Sequence, residues 1–202
     1  MQLSRMGASS VNCSWGGCGQ HAVVHLLSAK QYRCIDEQHL CERHGREFMA
    51  EYHAVAYPAG LRSADDSALV QLDVELLAIY EGSNEQGIYL RDVNGSERFF
   101  MLIGTVEAWA LCYCLKHETS LRPMTHQTLS NTIAALGGRV KDALLDEFSE
   151  SPRCYHAKLR IEVAGKTVAV DVRPSDAFCV ATLNAVPILI LGHVMRSSRK
   201  GG

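Results

Sequence analysis

The sequence predicts an α+β fold: a mixed or antiparallel sheet with packed helices, preceded by a small Cys/His-rich module. Three observations carry this. Between residues 70 and 191, runs of strand period and helical runs are only partly interleaved, which suits a mixed sheet better than a doubly wound one. Asn94-Gly95, set between two strand-like runs, is a strong hairpin turn. Four of the eight cysteines, Cys13, Cys18, Cys34 and Cys41, crowd the first quarter of the chain among several histidines.

The elements follow in order. Residues 11–57 form the Cys/His-rich module, with Ala22 to Leu27 and Gln38 to Leu40 as a hairpin and Glu42 to Tyr52 as a helix. Residues 58–67, with Pro58, Gly60, Ser63 and Asp65-Asp66, read as a linker to a domain over 68–195. That domain opens with strands at Val70–Tyr80, Gly87–Val93 and Glu97–Ile103. Thr105–Lys116 is apolar nearly all round, as a helix buried in a core would be. A helix from Thr125 or His126 to Leu136 stops at Gly137-Gly138. Strands at Arg139–Phe148, Cys154–Val163 and Thr167–Val172 come next, the last two joined by Gly165-Lys166. A helix over Ser175–Asn184 and a short strand over Pro187–Leu191 close the domain.

Composition limits the function. A chain of 202 residues with 47% hydrophobic and 21% charged residues can bury a core. No apolar run reaches the ~18 residues of a membrane span. Met1 to Val11 lacks a signal peptide's apolar centre, so the expected location is cytoplasmic, with no membrane partner. A cytosolic chain argues against a disulfide framework, and Cys112, Cys114, Cys154 and Cys179 are expected mostly as small buried hydrophobes. The net charge of −2 means that any grip on phosphates must come from a local cluster.

Cys13-x4-Cys18 and Cys41-x2-His44 are two ligand pairs separated by a 22-residue insert. Two such pairs on two turns supply the four donors of a tetrahedral zinc site, and four protein ligands make it structural. Its task would be to fold a segment too small to hold itself. His25, His39 and Cys34 compete for the fourth position, but the two histidines are expected on the hairpin, facing solvent. The pattern resembles the zinc knuckles that open protein-arginine kinase activator proteins, with the first pair wider by two residues. The resemblance implies a metal role for Cys13, Cys18, Cys41 and His44.

Three segments of the main domain carry a second resemblance: Ile103-Gly104-Thr105-Val106-Glu107-Ala108, Arg122-Pro123-Met124-Thr125-His126 and Asp171-Val172-Arg173-Pro174-Ser175-Asp176-Ala177. In this order they resemble the bifunctional nuclease domain. The resemblance implies cleavage of RNA and DNA and association as dimers or larger oligomers. Glu107, Arg122, His126, Arg173 and Asp176 become the candidate catalytic residues. One departure stands out: Gln127 occupies a position where the family usually has Asp.

The residues themselves allow this chemistry. Each Arg-Pro pair stands just before a helix, with Thr125 and Ser175 expected as caps. Arg122 and Arg173 would then sit near helix starts that favour anions, and His126 in a first turn could act as a base. A plainer role exists for each residue. Arg173 could only pair with Asp176 or Asp171, His126 cap a neighbour, and Glu107 complement its own helix dipole. On Cys154–Val163, His156, Lys158 and Arg160 form a basic stripe that either contacts phosphates or is simply a strand's wet face. The Arg196–Lys200 tail is expected to fray. The functions in view are a nuclease on RNA or single-stranded DNA, a zinc-containing adaptor on a dimeric platform, and an anion sensor.

Overall fold

The computed structural model describes residues 11–56, 67–94, 97–118 and 120–197. The expected linker, apart from Ser67, lies outside these residues, as do Met1 to Ser10, the Gly95 half of the hairpin turn and the tail beyond Ser197. The strands are β1 (Val24–Lys30), β2 (Arg33–Leu40), β3 (Leu69–Tyr80), β4 (Glu85–Asp92), β5 (Arg98–Gly104), β6 (Gly138–Glu150), β7 (Arg153–Val163), β8 (Lys166–Val172) and β9 (Ile188–Leu191). The helices are α1 (Glu42–Ala56), α2 (Thr105–Lys116), α3 (Thr125–Ala135), α4 (Pro174–Asn184) and α5 (Gly192–Ser197).

Among the described residues all nine strands join one mixed sheet, so the architecture is α+β. β3 is its spine. One edge pairs with β1 through Leu76–Tyr80 and with β9 through Leu69–Leu72; the opposite edge carries β4, which carries β5. From β9 the sheet runs through β6 and β7 to β8. Only β9 and β6 are parallel among the named pairs. The N-terminal hairpin is longer than its apolar stretch suggests, because β1 is hydrogen-bonded to β2 on one side and β3 on the other.

β3 reads as apolar on both faces because both faces are covered. Leu77 and Ile79 enter one core with Leu111 of α2 and Phe178 of α4. Leu76 and Ala78 enter a second core with Val24, Leu26 and Met49 of α1. Fully burying a side chain such as Phe178 contributes about 2–3 kcal/mol. α4 is almost wholly buried, while α3 buries no residue and lies outside it, linked through Asn184 Nδ2 donating to Ser130 Oγ at 3.0 Å. α2 is less buried than its composition predicts. Val106 and Trp109 are exposed because only one side of the helix meets the sheet and α4. α5 was not expected: Arg196 lies in it rather than in a frayed tail.

Candidate functional site

The donor atoms of Cys13, Cys18, Cys41 and His44 all lie within 4.8 Å of one another. Cys13 Sγ is 3.2 Å and Cys41 Sγ 3.5 Å from His44 Nδ1, and Cys18 Sγ is 3.9 Å from Cys41 Sγ. A tetrahedron with ~2.3 Å metal–sulfur bonds has edges of about 3.5–3.8 Å, so the spacing fits a bound metal. Trp15 stacks on the His44 ring at 4.8 Å and fixes its plane. The Cys13 thiol is pulled down to about 6: burial opposes the thiolate, but hydrogen bonds from the Cys41 backbone and His44 outweigh it. The Cys18 thiol goes the other way. A backbone hydrogen bond at Gln20 lowers it, but burial and the thiols of Cys13 and Cys41 push it up overall.

His25, His39 and Cys34 lie outside this cluster. The expectation that the two histidines face solvent is corrected for His25, while His39 is half-buried. His25 is buried, its Nδ1 lies 2.8 Å from His39 Nδ1, and its Nε2 lies 3.0 Å from Glu81 Oε1. β1 lies inside the sheet, so its Leu27 face, which includes His25, is turned toward α2, and Trp109 covers it.

At the other site, three separate segments converge. Arg173 Nη1 donates to Glu107 Oε1 at 2.6 Å, and Arg173 Nε donates to Asp176 Oδ2 at 2.8 Å. Asp176 Oδ1 lies 2.9 Å from His126 Nε2. Asp176 thus joins the starts of α3 and α4, while Arg173 joins α4 to α2. Burial alone would raise the Asp176 carboxyl, but Arg173 and then His126 hold it below the usual carboxylate range. Hydrogen bonds to Asp176 and Glu107 push the Arg173 guanidinium up. The Arg173 side chain is still 65% exposed, so water reaches the network. Arg122 stands apart: its side chain is exposed and holds no partner among the described residues.

Local sequence sets this geometry. Glu107 folds back over the N-cap of α2, where a Cβ on Gly104 would lie 2.3 Å from its Oε2. Gln86, fully buried, pins the same helix start. Its Oε1 accepts from the Tyr80 N–H at 2.6 Å, and its Nε2 donates to Ser83 O at 2.9 Å and Thr105 Oγ1 at 3.0 Å. No sequence signal marked Gln86, because its link to the start of α2 reaches Thr105, 19 positions away, and its bonds to Tyr80 and Ser83 form only when β3 and β4 turn back on each other. The expected hydroxyl caps are also corrected. Met124 and Arg173 hold the N-cap positions: Thr125 is already the first residue of α3, and Pro174, at the first position of α4, starts that helix ahead of Ser175. Gln127 does capping work, its Oε1 accepting from the Met124 N–H at 2.9 Å. Ser175 is buried.

The basic stripe is not a free cationic surface. Arg160 pairs with Asp142 at 2.5 and 2.9 Å, and Lys158 pairs with Asp146. Acids on the neighbouring β6 neutralise it, and only the cross-strand register reveals them. His156 Nε2 lies 3.5 Å from Cys154 Sγ. Cys112, Cys114 and Cys179 are buried as expected, while Cys154 is partly exposed.

A family model described as the bifunctional nuclease domain matches residues 88–200, more than half of the chain. The chain belongs to the bifunctional nuclease domain family. All four networked residues fall inside the bifunctional nuclease match; the Cys/His cluster and β1 to β3 precede it. Two uncharacterized proteins from Mycobacterium tuberculosis strains, CDC 1551 / Oshkosh and H37Rv, are each 28% identical over 114 residues. These alignments cover 56% of this chain and 66% of each relative. Among the described residues, no helix of this bifunctional nuclease family member is long and apolar enough to cross a membrane.

Proposed function

We propose that the protein is a cytoplasmic nuclease that hydrolyses phosphodiester bonds in RNA and single-stranded DNA. The observation that supports this best is the convergence of Glu107, His126, Arg173 and Asp176 from three segments into one water-reachable network. Asp176 favours the His126 tautomer that carries its proton on Nε2, leaving Nδ1 as the base for the attacking nucleophile. Arg173 stabilises charge on the phosphoryl oxygens, held in place by its two carboxylates. Arg122, exposed at the entrance to α3, neutralises a neighbouring phosphate.

In the same reading the Cys/His cluster holds one structural zinc, as in the knuckles of protein-arginine kinase activators. It staples a module over 11–57, joined by a linker over 58–67 to the nuclease domain over 68–195. The protein acts as a homodimer. A second reading, a non-enzymatic adaptor, is favoured by Gln127: where the family usually has a carboxylate, this chain has a neutral cap.

Purified protein incubated with RNA and single-stranded DNA, with and without chelator, separates the two. Arg173→Ala and His126→Ala should each lower cleavage about 100-fold or more, with folding checked by circular dichroism. Equal cleavage by folded variants and parent would assign the activity to a contaminant and leave the adaptor.

A further inference from the structure

β8 is the last strand of its arm of the sheet. Among the described residues no strand pairs with its outer edge, and none of its residues is buried. Edge strands are normally guarded by proline, bulges or repeated charge. β8 has neither proline nor bulge, and its one lysine stands at its first position. Its inner face is apolar and open. Val168 and Val170 continue the buried row of Ile161 and Leu159 across the register, yet remain 48% and 42% exposed.

The strand is complementary to itself. On an antiparallel two-fold centred at Ala169, Val168 meets Val170 of the partner subunit on the inner face. Thr167 meets Asp171 of the partner subunit on the outer face. Lys141 Nζ already reaches Thr167 Oγ1 at 3.3 Å, so an ammonium waits where that carboxylate arrives. No like charges oppose one another. In this register Lys166 of the partner subunit lies opposite Val172, one residue before Arg173. We propose that β8 pairs with β8 of a second copy about Ala169, and that each copy thereby lends Lys166 to the other's Arg173 site. The lent charge matters because Arg173 is already balanced by Glu107 and Asp176.

This specifies the homodimer of the proposed function, and only its Lys166 part depends on that site binding an anion. Light scattering on full-length, zinc-loaded protein should give a dimer. Val170→Lys, at an exposed position, should weaken dimerisation about 100-fold, roughly tenfold for each of its two symmetric occurrences. Asp171→Lys and Lys141→Glu should each weaken it, and the pair together should restore it. Lys166→Ala should leave the dimer intact and weaken binding of a fluorescent single-stranded oligonucleotide several-fold; unchanged binding would overturn its placement. A monomeric parent would overturn both the interface and the homodimer reading. A dimer indifferent to Val170→Lys and to the charge exchange would overturn the β8 seam alone.

Discussion

Asp176 accepts hydrogen bonds from both Arg173 and His126, so folding favours its ionised form. Its folded pKa lies below its unfolded value, despite the opposing effect of burial. Its stabilisation is therefore complete above the unfolded value of ~4 and is lost as pH falls through the lower folded value. Asp176→Asn should cost about 1 kcal/mol at pH 7, a figure kept small because Arg173 is largely exposed to screening water. Thermal melts from pH 7 down to pH 3 should show the gap between parent and variant closing below pH ~4; a gap of constant size would contradict the assignment. Arg173 pairs with Glu107 and Asp176, not with Asp171. The structural and the catalytic roles of these residues therefore rest on the same contacts.

Two glycines set how closely elements approach. Gly45 follows His44 in α1, and a Cβ there would lie 2.6 Å from Val24 Cγ2 and 2.9 Å from Val24 Cβ. Val24 is fixed between β2 and β3 and cannot retreat. Gly45→Ala should therefore destabilise by about 1–3 kcal/mol by denaturant titration, although alanine favours helix. Gly104→Ala differs in kind. Its backbone is ordinary, with φ −71°, and the obstructing atom is the mobile end of Glu107. Stability should change by less than ~1 kcal/mol while Glu107 is displaced from Arg173. If the nuclease reading holds, cleavage should fall without a matching fall in melting temperature; parallel losses would make Gly104 merely structural.

For the whole molecule, the important connection is the pairing of β1 with β3. The Cys/His cluster shares its core with Leu76 and Ala78 of β3, so it buttresses the same sheet that carries the catalytic candidates. Native mass spectrometry should find one zinc per chain. Metal removal, or Cys41→Ser, should lower the melting temperature by at least ~5 °C. Metal-free protein with an unchanged melting curve would remove the cluster's structural role.

How far the sequence could be read depended on the range of each interaction. The α+β class, the main strands and the Cys13/Cys18 and Cys41/His44 pairs of the cluster were legible, because period, turn residues and donor spacing are local. Gly104, Glu107 and the two Arg-Pro starts were visible as motifs for the same reason. Their union was not. The contact of Arg173 with Glu107 spans 66 positions and that of His126 with Asp176 spans 50. His25 faces α2 rather than solvent, and Lys158 and Arg160 are neutralised, because neighbouring strands supply their surroundings. Local patterning by itself determined most of the elements and the candidate residues. Tertiary structure alone decided which of them meet, since burial and charge pairing depend on neighbours that the chain brings together only on folding.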